Sequence, residues 1–146
     1  MQLLVLQGPN LDRLGTREPE TYGTATLETL TRDLDSLAAE LGCTLRHVQS
    51  PHEGALVEAV HRAADDGLDA AIVNAAAYTH TSIALRDAFL SVQMPFIEVH
   101  LSNVHARESF RHRSLLADLA IGVISGLGVE SYRAALRALV DRPLAG

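Results

Sequence analysis

The chain opens with QLLVLQ at residues 2–7 and turns at once into GPN at residues 8–10. A short apolar run bounded by Gly and Pro is typical of a buried strand in a parallel sheet. The next periodic segment, residues 26–41, predicts a helix that Gly42 ends. Its apolar stripe consists of Leu27, Leu30, Leu34, Leu37 and Leu41. A buried strand followed by an amphipathic helix is the repeating unit of an α/β fold.

The same alternation continues to the end of the chain. Further strands are predicted at residues 44–49, 70–74, 96–100 and 120–124, and further helices at 53–66, 82–90 and 130–140. Five strands with helices between them predict a five-stranded parallel sheet covered by helices on both faces, flavodoxin-like in strand order.

Composition limits the class of protein. The chain has 146 residues, 47% of them hydrophobic, and we expect one catalytic domain over residues 1–146. A net charge of -6 argues against a nucleic-acid partner. The apolar run at residues 3–6 is too short to cross a membrane, and the lone Cys43 fits a reducing compartment, so we expect a cytoplasmic protein.

The basic residues are all of one kind, since the chain has twelve Arg and no Lys. Schiff-base chemistry, pyridoxal phosphate anchoring and the P-loop lysine all need an ε-amino group. The sequence therefore excludes these mechanisms. An arginine is instead suited to binding carboxylates and to holding a neighbouring acid ionised.

Polar residues follow three predicted strands at the point where each strand ends. Ligands of open parallel sheets bind beyond these carboxyl ends, so we expect an active site there. The residues are Asn10 after the first strand, Asn74 and His80 after the third, and Ser102, Arg107 and Arg111 after the fourth. Taken singly, Asn10 and Asn74 are equally typical of turns.

The fourth predicted strand carries Glu98 and His100 on one face, because side chains alternate along a strand. A buried Glu needs a partner, and His100 is near enough to be one. The adjacent carboxylate would favour the protonated imidazole and equip His100 as a general acid. A purely structural Glu–His pair is the other interpretation.

Residues 11–23 form a long connection without helical periodicity, as active-site lids often do. Tyr22 lies on it and would be a base only if its pKa fell well below the ordinary tyrosine value of about 10. A shift towards 7 needs about 4 kcal/mol of preferential stabilisation of the phenolate. Arg17, on the same loop, is the candidate source. The alternative is a solvated loop with a surface tyrosine.

Two other motifs are weak. His100, His105 and His112 match no compact metal-ligand spacing, so we expect no catalytic metal. Gly126-Leu127-Gly128 hints at a dinucleotide loop but lacks the third glycine. Asp87, inside a predicted helix, is either a solvated charge or a group that reaches across a subunit interface.

An ordered series of motifs resembles the type II 3-dehydroquinate dehydratases over essentially the whole chain. The motifs are GPNL at 8–11, GTREP at 15–19, Tyr22-Gly23, Asn74 with AAYTHTS at 76–82, EVHLSN at 98–103, VHARE at 104–108 and GLG at 126–128.

This resemblance implies a flavodoxin-like subunit, a homododecamer of four trimers, and dehydration of 3-dehydroquinate to 3-dehydroshikimate in the shikimate pathway without cofactor or metal. It implies that tyrosinate Tyr22 removes the proton beside the ketone, that Arg17 lowers the pKa of that phenol, and that His100 protonates the departing hydroxyl. Asn10 would hold a water on the enolate oxygen, and Glu98 would position His100. The implied substrate contacts are Asn74, His80, Arg111, the backbone at Leu101 and Ser102, and Asp87 of a neighbouring subunit.

Two positions depart from the family pattern, Gln7 in place of the usual Asn and Ala75 in place of the usual Pro. Neither has an expected chemical role. Other classes with this fold fit less well, since a phosphorelay receiver needs an Asp where Asn74 stands, and a flavin carrier needs a Ser/Thr-rich first loop. A non-catalytic relative that only binds the ligand stays open.

Overall fold

The computed structural model describes residues 1–16, 25–142 and 144. Its strands are β1 (Gln2–Gln7), β2 (Thr44–Gln49), β3 (Ala70–Asn74), β4 (Phe96–His100) and β5 (Gly122–Ser125). They form one parallel sheet in the order β2-β1-β3-β4-β5. This is the flavodoxin-like order, so the predicted five-stranded parallel sheet is confirmed.

The helices are α1 (Leu27–Leu41), α2 (Glu53–Asp65), α3 (Ile83–Val92) and α4 (Glu130–Asp141). Helices α1 and α4 pack on one face of the sheet, against Leu3 and Val5 of β1, and α2 and α3 pack on the other, against Leu4 and Leu6. Because both faces are covered, the central strands β1, β3 and β4 are almost wholly apolar. The polar side chains of these three strands lie at the strand ends, except Glu98, which lies in the middle of β4.

Helix α1 shows why the sequence specifies its ends. Thr26 and Thr29 form a reciprocal capping box, and Gly42 ends the helix in the left-handed conformation, with φ of 77°. The predicted helix over residues 26–41 is confirmed, with Thr26 as its cap.

The bounds of four predicted elements are corrected. The helix expected at 82–90 is α3, which begins after the Ser82 cap and continues two residues further, until left-handed Gln93 ends it. The strand expected at 120–124 begins at Gly122, because the Ala120 N–H is bonded back to the Leu116 carbonyl in a turn. The helix expected at 53–66 ends one residue earlier, at Asp65. The helix expected at 130–140 ends one residue later, at Asp141.

The connections after β1 and β3 touch each other. The Gly8 N–H donates to the Asn74 carbonyl at 2.8 Å, and a Cβ at Gly8 would lie 2.3 Å from the Ala75 carbonyl oxygen. Only glycine fits there, so Gly8 lets the two strand ends meet. Within the described ranges, no helix combines the length and apolar character needed to cross a membrane.

Candidate active site

A cavity of about 290 Å³ lies at the carboxyl edge of the sheet. Its lining comes from the ends of β1, β3 and β4 and the connections that follow them. The lining residues are Pro9, Asn10, Leu11, Asn74, Ala76, Ala77, His80, His100, Leu101, Ser102, Val104, Arg107 and Arg111. Seven of the eleven residues that the sequence assigns to the site therefore line this cavity.

The acid candidate is a buried pair on β4. His100 Nε2 lies 2.6 Å from Glu98 Oε2, and the Ser114 hydroxyl donates to Glu98 Oε1 at 2.7 Å. Glu98 is 1% exposed and His100 is 6% exposed. The predicted pairing of these two residues is confirmed, and only His100 of the pair reaches the cavity wall.

The pairing fixes the tautomer of His100. A carboxylate oxygen can only accept, so Nε2 carries a proton and donates it to Glu98. The proton that His100 exchanges with a ligand must then be on Nδ1. This arrangement gives a group that can be neutral or cationic without losing its bond to Glu98.

Asn74 lies at the end of β3 in a buried chain of hydrogen bonds. Its Nδ2 donates to the Tyr132 hydroxyl at 2.8 Å, the hydroxyl donates to Gln7 Oε1 at 2.6 Å, and Asn74 Oδ1 accepts from the Ala76 N–H. Burial raises the pKa of Tyr132, so its phenol stays a donor at neutral pH. Gln7, one of the two departures from the family pattern, thus helps to hold Asn74 in place through the Tyr132 hydroxyl.

Two further polar side chains reach the cavity from turns. Asn10 is left-handed, with φ of 71°, where it precedes the short helical turn Leu11–Arg13. An Asn tolerates this conformation better than most residues. His80 Nδ1 is 2.7 Å from the Arg113 carbonyl, so Nδ1 donates. In the neutral imidazole, Nε2 is then an acceptor.

Two guanidinium groups, of Arg107 and Arg111, line the cavity. Arg111 Nε donates to Glu108 Oε1 at 2.9 Å, and this bond lowers the pKa of Glu108. Arg107 Nη1 is 3.4 Å from Ser102 Oγ. Arg113 is exposed and does not line the cavity. Arg107 and Arg111, which the sequence places after the fourth strand, therefore contribute two cations that could bind an acidic ligand.

Of the predicted site residues that the structure describes, Glu98 and Asp87 do not line the cavity. Asp87 is exposed on α3. Arg17 and Tyr22 lie outside the described residues. Over the ranges 1–16, 25–142 and 144, no group of three His, Cys, Asp or Glu side chains could hold a metal ion.

Sequence reasoning missed two groups behind the cavity. Ser114 follows the cavity arginines in an irregular segment, where no periodicity marks a serine that turns inward. The other group is Tyr132, which lies at a buried position of α4. A tyrosine at an inward helical position whose hydroxyl needs a partner was the available signal. Arg107 was expected at this edge of the sheet, and it lines the cavity.

Comparisons with known proteins agree with this geometry. The family model described as Dehydroquinase class II matches residues 1–140. A Bordetella avium protein named 3-dehydroquinate dehydratase is 63% identical over 135 residues, which cover 92% of this chain and 94% of that one. A Pseudomonas aeruginosa protein named 3-dehydroquinate dehydratase 1 is 56% identical over 140 residues, which cover 96% and 95%.

Solved structures show the same relationship. The type II dehydroquinase from Propionibacterium acnes has a TM-score of 0.92 and 43% identity, with 97% of both chains covered. That from Butyrivibrio crossotus has a TM-score of 0.93 and 40% identity, with 95% of this chain and 97% of that one covered.

Proposed function

Since this chain belongs to the class II dehydroquinase family, and is thus a hydro-lyase of the shikimate pathway that acts on 3-dehydroquinate, we propose that it eliminates water by a stepwise, enolate mechanism. Tyr22 is the base and His100 the acid in this proposal. Arg17 lowers the pKa of the Tyr22 phenol, and Asn10 holds a water on the enolate oxygen.

The elimination has two steps. The Tyr22 phenolate takes the proton from the carbon beside the ketone, the C–H electron pair forms the carbon–carbon double bond of the enolate, and the carbonyl π pair moves to the oxygen. The enolate then re-forms the carbonyl and a carbon–carbon double bond, and the hydroxyl on the next carbon leaves with the proton of His100 Nδ1 as water. Tyr22 ends protonated and His100 ends neutral, so one proton must return from Tyr22 to His100, directly or through water.

The single observation that carries this proposal is the Glu98–His100 pair at the cavity wall. Its 2.6 Å contact places a negative charge on the far side of the imidazole from the proton to be transferred. That charge stabilises the imidazolium that must exist before the step. A pair that served only packing would not need to present His100 to a cavity with two arginines.

Substrate contacts follow from the rest of the lining. We assign the substrate carboxylate and hydroxyls to Arg111, Asn74 and His80, which supply a cation, an amide and an imidazole. The carbonyls of Leu101 and Ser102 accept from the Gly128 N–H and the Ser125 hydroxyl. The contacts assigned to this backbone therefore run through its N–H groups.

Asp87 is assigned to the site of a neighbouring subunit, and the assembly is proposed to be a homododecamer of four trimers. The exposed apolar side chains Ile83 and Leu90 on the same helix as Asp87 support a subunit contact there. Analytical ultracentrifugation should give a mass about twelve times the 15.7 kDa of one chain. A cytoplasmic location stays a prediction from the sequence.

The test of the activity is direct. Purified protein is mixed with 3-dehydroquinate, and the ultraviolet absorbance of the conjugated enone product is followed with time. A steady rise is expected. Binding of 3-dehydroquinate, measured by calorimetry, without any rise would show a ligand-binding relative instead.

Variants test the assigned roles. Tyr22→Phe should abolish turnover and leave substrate binding largely intact, because the phenyl ring keeps its contacts and loses only the base. Arg17→Ala should lower the rate by several powers of ten, since both the phenolate and the transition state lose a positive charge. Normal turnover of Tyr22→Phe would refute the assigned base.

A trapping experiment tests the class of mechanism. Borohydride reduces a Schiff base to a stable amine, and the chain has no lysine to form one. Mass spectrometry after treatment with substrate and borohydride should show the unmodified chain mass. A reduced adduct would contradict the mechanism.

A further inference from the structure

Ser114 has every hydrogen-bonding position of its hydroxyl in use. Its Oγ accepts from the Leu116 N–H and the Ala117 N–H, each at 3.0 Å, and donates to Glu98 Oε1 at 2.7 Å. A serine hydroxyl has two acceptor positions and one proton. With both acceptor positions taken by backbone amides, the proton is directed to Glu98.

This fixed direction has a consequence for Glu98. One carboxylate oxygen receives the Ser114 proton, and the other receives the His100 Nε2–H. Because Glu98 is only 1% exposed, water does not replace a bond that is broken. Protonation of Glu98 would therefore weaken the short hydrogen bonds that its carboxylate accepts from His100 and Ser114.

We propose that Ser114 is a positioning residue for the acid of the reaction, which holds Glu98 as a double acceptor and so keeps the transferable proton on His100 Nδ1. The inference rests on the proposed function, because it assigns a role within the same proton transfer. Ser114 acts through Glu98 and His100 and does not itself line the cavity.

Other charged groups near the pair act differently. His80, Arg107 and Arg111 share the cavity wall with His100. His80 bonds to the Arg113 carbonyl, Arg107 Nη1 lies 3.4 Å from the Ser102 hydroxyl, and Arg111 donates to the Glu108 carboxylate. Among the described residues, His100 and Ser114 hydrogen-bond to Glu98, and Ser114 can be replaced without removing the acid itself.

The variants are Ser114→Ala and Ser114→Thr, with Ser82→Ala as the control. Ser82 is buried, and its Oγ accepts a hydrogen bond from the Leu85 N–H at the start of α3. Ser82→Ala therefore removes a comparable serine-to-backbone hydrogen bond without changing the partners of Glu98. Threonine keeps the hydroxyl and should restore the behaviour of the parent chain. If Ser114→Ala does not fold, Ser114→Cys replaces it, because a thiol is a weak donor and should give an intermediate effect.

Two measurements separate positioning from packing. The first is the pH profile of kcat, whose acidic limb should move to higher pH in Ser114→Ala, because a carboxylate that has lost a donor takes up a proton more readily. We expect kcat to fall roughly 10- to 100-fold, as for a hydrogen bond to a charged group, and KM to change less than about threefold. Ser82→Ala should keep the parent pH profile and KM.

The second measurement does not depend on turnover. Nitrogen-15 chemical shifts of the His100 ring report which nitrogen carries the proton. In the unsubstituted chain, Nε2 should be protonated throughout the titration. In Ser114→Ala, the neutral ring should populate both tautomers, with the proton on Nε2 in some molecules and on Nδ1 in others.

The outcomes distinguish the two proposals. An active parent chain with an unchanged pH profile and unchanged ring shifts in Ser114→Ala would overturn the role of Ser114. An inactive parent chain whose ring shifts still respond to Ser114→Ala would overturn the proposed mechanism and leave the positioning of His100 supported.

Discussion

Replacing Glu98 by glutamine removes one charge and keeps the shape of the side chain. In the parent structure, both carboxylate oxygens accept short hydrogen bonds, from Ser114 at 2.7 Å and from His100 at 2.6 Å. The Ser114 proton must still find an acceptor, so the amide oxygen of Glu98→Gln should take that side. The amide NH₂ would then face His100 Nε2.

This orientation sets the size of the effect. An NH₂ group can only donate, so a protonated Nε2 would place two donors against each other in a buried site. The imidazolium needed for the step loses a charge-assisted bond worth about 1.5–3 kcal/mol. At about 1.4 kcal/mol for each factor of ten, kcat should fall roughly 10- to 150-fold. KM should stay within about threefold, because Glu98 does not line the cavity.

The assay is the rise of enone absorbance over a range of pH, with Asp35→Asn as a matched control. Asp35 Oδ1 lies 2.8 Å from His47 Nε2, so the control also removes a carboxylate from a histidine, at an exposed position away from the cavity. The control should keep kcat and its pH profile. An unchanged kcat in Glu98→Gln would refute the reasoning that the carboxylate supports the acid.

Three further predictions concern the rest of the site. Arg111→Ala should raise KM at least tenfold with a smaller change in kcat, measured by the same assay. The control Arg113→Ala, at an exposed position, should change neither KM nor kcat. Equal effects of the two variants would contradict the assignment of the substrate carboxylate to Arg111. Gly8→Ala should lower the free energy of unfolding, measured by urea titration, by more than about 2 kcal/mol, because its Cβ would lie 2.3 Å from the Ala75 carbonyl oxygen. Unchanged stability would show that the connections after β1 and β3 can move apart. Burial raises the pKa of Tyr132, so the stability it contributes is present below the ordinary tyrosine value of about 10 and is lost above it, where the unfolded chain releases its proton first. Between pH 10 and 11, the free energy of unfolding should fall by up to about 1.4 kcal/mol more in the parent chain than in Tyr132→Phe, and parallel slopes would contradict this cause.

The sheet could be predicted because its signals are local. Runs such as Ala70–Asn74 are apolar throughout, and each is followed by turn residues and a periodic helix. The helix ends were less accurate where no glycine marks them. Gln93 ends α3 in a left-handed conformation that favours glycine, so the sequence placed the end too early.

The position of the site could be predicted because parallel strands deliver their carboxyl ends to one edge. Asn10, Asn74 and His100 were assigned to that edge from the sequence, and all three line the cavity. The alternation of side chains on β4 was enough to pair Glu98 with His100.

The groups behind the cavity could not be predicted because they come from distant parts of the chain. Tyr132 joins Gln7 across a separation of 125 residues, and Ser114 reaches Glu98 from an irregular segment. Such contacts depend on how α4 and the segment after Arg113 pack on the sheet. No local pattern in the sequence encodes that packing.

Hydrogen exchange in heavy water tests the division of labour between base and acid most directly. Nuclear magnetic resonance can follow both the hydrogen beside the ketone of 3-dehydroquinate and the appearance of the dehydrated product. His100→Asn should still exchange that hydrogen for deuterium while it releases almost no product, because the enolate forms and the hydroxyl lacks its proton donor. Equal loss of exchange and of product in His100→Asn, or undiminished product, would contradict a separate acid step at His100.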